Sequence, residues 1–109
     1  MASPIRNSGR SASSFDIRIE VQKGIKIRNI SLETTTPAPK IYAKIDHYDE
    51  DGHLVAHLKK GFFSNLGSWS VPLEWAGEYE ILRDGSIKAS ILNDSGIDIF
   101  CNLIVIPED

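Results

Sequence analysis

The chain has 109 residues, enough for one domain whose hydrophobic core needs no disulfide support. Hydrophobic residues make up 41% and charged residues 25%, values typical of a soluble globular protein, and the formal net charge is only -3. Lys and Arg are interleaved with Asp and Glu, so no basic stripe forms and no nucleic-acid partner is expected. No stretch is long and apolar enough to be a transmembrane segment.

The cysteine content and the N-terminus bear on localisation. Cys101 is the one cysteine, and it lies in an apolar stretch where a packed, unreactive thiol is expected. The N-terminal residues lack the apolar run of a signal peptide. These features favour a reducing compartment or non-classical export without defining the localisation.

The first fourteen residues differ in composition from the rest. Residues 1–14 contain five serines and, as the one sizeable aliphatic residue, Ile5. Such a segment buries too little apolar surface to offset chain entropy, so we predict a flexible N-terminal arm over 1–14. A single domain is predicted over 15–109.

Alternating polarity predicts the strands of the first half of that domain. Residues 15–21 alternate cleanly, which is typical of a half-buried strand. After a turn at Lys23-Gly24 the apolar phase shifts at Asn29, which predicts a β-bulge or a change of sheet. Residues 34–39 contain two prolines and read as an extended crossover. A hairpin is predicted over 40–60, turning at 49–52.

The clearest pattern lies at 78–91, which we predict to be a β-hairpin. With a two-residue turn at Asp84-Gly85, each face mixes apolar and charged residues. With a three-residue loop at 83–85 and a left-handed Gly85, Ile81 opposes Ile87 and Glu80 opposes Lys88. The second register is favoured because a one-residue slip would turn every apolar side chain to the wrong face.

The final strand, predicted over 97–106, is apolar on both parities from Phe100 onward. Such a strand is central and covered on both sides, or it lies at a subunit contact. Together the patterns give seven or eight strands with turns every eight to twelve residues. They predict an all-β, single-domain antiparallel β-sandwich, with a small β-barrel as the alternative. The strand spacing is similar to that of small β-sandwich lectins and adhesion modules, a likeness of architecture that does not define a function.

No catalytic motif is present, so we expect no enzyme, no catalytic residues and no cofactor. All three histidines, His47, His53 and His57, lie among four carboxylates in the 46–57 hairpin. Imidazole with carboxylate suits zinc, and oxygen ligands suit calcium, but the spacing does not match an EF-hand loop. An acidic turn without metal is therefore the preferred interpretation.

The aromatic segment at 61–77 is the preferred candidate for ligand binding. It holds four of the nine aromatic residues, and indole faces on loops are suited to stacking on sugars. The predicted ligand-binding residues are Trp69, Trp75, Phe63, Asn65 and Glu74. The alternative is that the aromatic side chains cap the core beneath a long connection.

Two functions follow from these patterns. The first is a non-catalytic, lectin-like module that recognises carbohydrate or another surface ligand, including a protein, through the 61–77 loop. The second is a structural or self-assembling oligomeric β-sandwich, such as a capsid-like or adhesion subunit, in which the final strand or an edge strand makes the contact. A metal-dependent enzyme at the histidine hairpin ranks last.

Overall fold

The computed structural model describes residues 3–108. Within this range the chain forms nine strands: β1 (Ile5–Ser11), β2 (Phe15–Val21), β3 (Lys26–Thr34), β4 (Ala38–Asp49), β5 (Leu54–Asn65), β6 (Ser70–Val71), β7 (Leu73–Glu80), β8 (Gly85–Leu92) and β9 (Ile99–Pro107). No helix among residues 3–108 has both the length and the apolar character needed to cross a membrane.

The strands form two antiparallel sheets that face each other as a sandwich. Sheet A has the order β1-β9-β3-β7, and sheet B has the order β2-β8-β4-β5-β6. The pairs are nested, because β1 pairs with β9, β2 with β8, β3 with β7 and β4 with β5. The chain is thus one long hairpin whose successive strand pairs alternate between the sheets, which is the topology of a jelly roll. The predicted β-sandwich is confirmed.

One strand, β1, lies in the segment predicted to be a flexible arm, and that prediction is wrong for Ile5–Ser11. These seven residues pair with β9 from Ile5 opposite Val105 to Ser11 opposite Ile99. The Asn7 side-chain amide also donates to the Arg18 carbonyl at 2.7 Å. Backbone pairing along an open sheet edge holds this segment, and composition does not measure that contribution. Residues 1–2 of the predicted arm lie outside the described residues.

The predicted 78–91 hairpin is also wrong. β7 pairs with β3 in sheet A, whereas β8 pairs with β2 and β4 in sheet B, so residues 81–84 cross between sheets. Gly85 is not in the left-handed region that the predicted G1 bulge requires. The predicted core-facing residues do face the core, since Ile81, Ile87, Ala89 and Ile91 are buried and Tyr79 packs against them. They face it from two opposite sheets.

The 81–84 crossover is held by its neighbour, the turn between β2 and β3. Ile81 exchanges backbone hydrogen bonds with this turn, donating to the Ile25 carbonyl and accepting from the Gly24 amide, both at 2.8 Å. The Asp84 carboxylate accepts from the Lys23 amide at 2.9 Å. Asp84 therefore fixes a turn 61 residues earlier in the chain rather than reversing its own strand.

Several local predictions are confirmed. β2 has the predicted bounds, and the pairing of β3 shifts register between Ile27 and Asn29, where the phase slip is. β4 and β5 form the predicted hairpin. The core between the sheets is filled mainly by aliphatic side chains; its largest fully buried members are Phe63, Ile27, Ile30, Leu32, Ile41, Ile45, Ile81, Ile87, Ile99, Leu103, Val21 and Val105.

Candidate functional site

The residues predicted to bind a ligand do not converge in the structure. Phe63 lies on the inner face of β5 and is 1% exposed, so it is a core residue, and the prediction that it contacts a ligand is wrong. Glu74 lies on the outer surface of β7, in the opposite sheet. A ligand on either side of the sandwich would reach at most part of the predicted set.

Trp75 belongs to the margin of the core. It is half-buried on the inner side of β7 and meets the Tyr79 ring edge to face, with centroids 6.2 Å apart. A Cβ atom at Gly77 would lie 3.2 Å from the Trp75 ring, so the indole rests against the space that this glycine leaves. Trp75 therefore closes the margin of the sandwich beside β7.

Asn65 organises the turn between β5 and β6. Its side-chain amide donates to the Thr34 carbonyl at 2.9 Å, and its side-chain oxygen accepts from the Gly67 amide at 2.8 Å. Both ends of the Asn65 side chain are thus engaged in folding contacts. They link the turn to the end of β3 in the other sheet.

Trp69 is the predicted aromatic site residue that faces solvent. It lies in the turn between β5 and β6, where the Leu66 amide donates to the Trp69 carbonyl at 2.7 Å, and it is 66% exposed. Phe62, Leu66 and Val71 are also exposed around the β5–β6 turn, and with Trp69 they form what we term the aromatic tip. Clustered exposed apolar side chains are typical of interaction surfaces.

The three histidines of the 46–57 hairpin are directed to different places. His57 Nδ1 lies 2.8 Å from a carboxylate oxygen of Asp46, beside an open groove on the outside of sheet B. His53 is exposed in the turn after β4, and His47 lies inside the sandwich. The groove beside His57 is also lined by Tyr42, Lys44, Leu58, Lys59 and Lys60.

Asp49, Asp51 and His53 place potential metal-ligating atoms within 4.8 Å of one another. Hydrogen bonds that close the turn also bring these three residues together. An Asp49 carboxylate oxygen accepts from the Asp51 and His53 amides at 3.0 and 2.8 Å, which closes the turn. The backbone hydrogen bond from His53 is the main reason that the pKa of Asp49 lies below its usual value. The Asp49 carboxylate therefore has a role in closing the turn.

His47 and Tyr79 form a polar link between the sheets. His47 is 3% exposed, and its Nδ1 lies 2.6 Å from the Tyr79 hydroxyl. The tautomer of His47 sets which of the two groups donates, and burial raises the pKa of the Tyr79 phenol. The other ring nitrogen of His47, Nε2, is buried and has no hydrogen-bond partner within residues 3–108. Burial lowers the pKa of His47, and Asp49 partly opposes that effect.

We expect acid to destabilise the protein through His47. Its pKa in the folded state is below the ordinary 6.5, so the unfolded chain binds the proton more tightly. The stability contributed by neutral His47 is complete above pH 6.5 and is lost as the pH falls through the folded-state pKa of His47. Thermal melts of the wild type and His47→Leu between pH 5 and pH 8 measure this, with the exposed His53→Gln as control. An acid-induced fall in Tm that survives in His47→Leu would contradict the assignment.

The outer faces of the two sheets differ in character. In sheet A the outward residues of the inner strand β9 are Phe100, Asn102, Ile104 and Ile106, all partly accessible and none charged, whereas the neighbouring strand β3 carries Glu33 opposite Asn102. In sheet B the outward residues of the inner strands include Lys44, Asp46 and Lys88. Within residues 3–108 no third layer of strands lies on the outer face of sheet A. The second apolar face of β9, visible in the sequence, therefore points away from the core between the sheets.

The chain matches no family model, and no curated protein is similar to it in sequence. Its fold is similar to that of a chain in the acid-stable capsid of the Helicobacter pylori bacteriophage KHP30, with a TM-score of 0.57 and 14% identity. That alignment covers 93% of this chain and 90% of the phage chain. A further match, to an infectious bursal disease virus structure, has a TM-score of 0.37 and 12% identity; it covers 96% of this chain and 31% of the viral chain.

Proposed function

We propose that this protein is a non-catalytic structural subunit that works by protein–protein contacts in a capsid-like assembly. The observation that carries the proposal is the extent of the fold match. Nearly the whole chain is one jelly roll, and it aligns with nearly the whole of a chain in a phage capsid structure. Jelly rolls also occur in lectins and cupins, so the fold supports this function together with the surface and does not define it alone.

The surface supports the same function. The residues predicted to bind a ligand are divided among the core, the sandwich margin and two different sheets. What the molecule presents instead is apolar surface at two places, the aromatic tip and the outer face of β9. Extended apolar surface without converging polar groups suits binding to another protein better than binding to a polar small molecule.

Self-association of the purified protein tests this function. We expect static light scattering to give a mass above the 12.1 kDa of one chain, rising with concentration to a discrete oligomer or particle. A mass that stays at one chain over the whole soluble range would contradict the proposal.

A lectin-like module is the second candidate, and the exposure of Trp69 is the observation that favours it. Sugar stacking on this indole would shift its fluorescence, whereas Trp75, which is half-buried, serves as an internal reference. A glycan-dependent shift that is absent from Trp69→Ser would favour this candidate. The structural function predicts no shift.

A further inference from the structure

The outer face of sheet A has a charge pattern that runs across the strands. Pairing registers place Arg6 opposite Ile104, Ile104 opposite Ser31, and Ser31 opposite Glu74. These four residues therefore form one row across β1, β9, β3 and β7, all on the outer face. The row begins with a cation, ends with an anion and is uncharged in between. Its two ends lie about 14 Å apart, three strand spacings of about 4.8 Å.

The charges at the two ends are not used within the chain. Arg6 and Glu74 are exposed, and within residues 3–108 neither lies within 4.0 Å of an opposite charge. Arg10, the other outward arginine of β1, is by contrast paired with Asp98 at 2.8 Å. The row therefore offers one free cation and one free anion on opposite edges of the sheet, and the outward Glu33 lies one row away, opposite Asn102.

From this pattern we propose that the outer face of sheet A binds a second copy of the same chain, face to face, about a two-fold axis parallel to the strands. Such an axis keeps the height along the strands and exchanges the two edges of the sheet. It therefore places Arg6 of each copy over Glu74 of the other, with Ile104 near the centre of the contact. An isologous contact of this kind satisfies both charge pairs at once. The inference rests on the proposed structural function and specifies its partner and its surface.

Neighbouring residues on the face suit close packing of two sheets. Ser8, Ser31 and Ala76 are small, and Phe100, Ile104 and Ile106 supply apolar area along β9. Two sheets pack face to face at a spacing of about 10 Å when their facing side chains interdigitate. The outward positions within Asn29–Glu33, Leu73–Ala76 and Phe100–Ile106 hold no lysine, and their charged residues are Glu33 and Glu74.

The size of the face sets the expected strength. Four strands at about 4.8 Å and seven residues at about 3.3 Å give a flat area of about 450 Å² per copy. This lies at the low end for specific protein contacts. The isolated dimer should therefore be weak and concentration-dependent, as befits one of several contacts that act together in a larger assembly.

Charge reversal and restoration test the contact. Sedimentation velocity over a concentration series would compare the wild type with Arg6→Glu, Glu74→Arg and the double variant. Each single reversal sets like charges against each other twice, so the dimer dissociation constant should rise roughly tenfold or more. The double variant should return to within about threefold of the wild type, because both pairs are restored with opposite polarity. Ile104→Asp should prevent dimerisation.

Matched controls are available on the other sheet. Arg18 and Glu20 are exposed on the outer side of β2, so Arg18→Glu and Glu20→Arg make the same charge changes away from the proposed contact. Both should dimerise like the wild type. Far-ultraviolet circular dichroism and thermal melts of all variants establish that they are folded. The Ile104→Ser variant should associate more weakly than the wild type and have the same melting temperature, because Ile104 is outside the core.

The outcomes separate this inference from the proposed function. If the wild type associates and the variants Arg6→Glu, Glu74→Arg and Ile104→Asp associate equally well, the sheet A contact is overturned. The proposed structural function would then still stand. Control variants that weaken association as much as the sheet A variants would also overturn it. A wild type that remains one chain at every concentration would overturn the structural function and, with it, this contact.

Discussion

Replacing Gly85 by alanine should lower the free energy of unfolding by about 3 kcal/mol, a large loss for a domain of this size. A Cβ atom there would overlap the carbonyl oxygen of Tyr48 and approach the Cα atom of Asp49 to 3.0 Å. Both obstacles are backbone atoms of the adjacent strand β4, so no side-chain rotation relieves them. Urea denaturation measures the loss as a lower midpoint with an unchanged slope.

Gly52→Ala is the matched control. Gly52 has a φ of +83°, in the left-handed region, but no atom lies within 4 Å of the position of its Cβ. The backbone penalty alone should cost about 1 kcal/mol. A Gly85→Ala variant no less stable than Gly52→Ala would contradict close packing at β8. A loss of stability in Gly85→Ala alone would also be expected if Gly85 were in a left-handed turn. A loss clearly larger than that of Gly52→Ala is expected only if the backbone of β4 packs closely against Gly85.

The second large effect is expected at Asn93, which joins the end of β1 to the loop between β8 and β9. Asn93 is 4% exposed, and its side-chain amide donates to the Ser11 carbonyl at 3.0 Å and to the Ile97 carbonyl at 2.9 Å. Its side-chain oxygen accepts from the Ser95 hydroxyl at 2.7 Å. Asn93→Ala leaves these groups without partners near the end of β1, so we expect a loss of about 3 kcal/mol.

The neighbouring residue provides the control for Asn93. Asp94 is exposed in the same loop, and Asp94→Ala should change the stability by less than about 0.5 kcal/mol. Asn93→Asp keeps the acceptor for Ser95 but turns both donors into an acceptor that faces two carbonyls, so it should be as damaging as Asn93→Ala. Equal stability of the Asn93 and Asp94 alanine variants would show that the loop does not depend on this side chain.

Alternating polarity predicted which side chains face the core because it records burial, whichever sheet a strand belongs to. Ile17 and Ile19 in β2, and Ile87 and Ala89 in β8, are buried as their parity indicates. The phase slip at Asn29 likewise coincides with the register shift in β3. Local pattern was therefore sufficient for strand positions and for the sandwich class.

Pairing partners could not be read in the same way. In a nested jelly roll, consecutive strands such as β7 and β8 present the same inward pattern from opposite sheets, so a local hairpin and a crossover have identical periodicity. The features that distinguish them are long-range, such as the Asp84 contact with Lys23 and the approach of Gly85 to Tyr48. The strand β1 escaped prediction for a similar reason, since its partner β9 is about ninety residues away.

The candidate site shows the same division. Aromatic content at 61–77 was informative about apolar surface, and Trp69 is exposed, but the sequence did not separate it from the buried Phe63. Asn65 was predicted to bind a ligand because it is polar, but its side chain accepts a hydrogen bond from the Gly67 amide and stabilises the β5–β6 turn instead. The apolar double parity of β9 was the more useful indication, because the sandwich covers one side of that strand and leaves the other accessible.

Small-angle X-ray scattering over a concentration series tests the central claim most directly, namely that this jelly roll functions by associating with other protein chains. One chain has a Cα radius of gyration of 13.6 Å and a longest dimension of 38 Å. The account predicts that both the radius of gyration and the maximum dimension increase with concentration and approach those of a discrete assembly. Values that stay close to 13.6 Å and 38 Å at every concentration would contradict it.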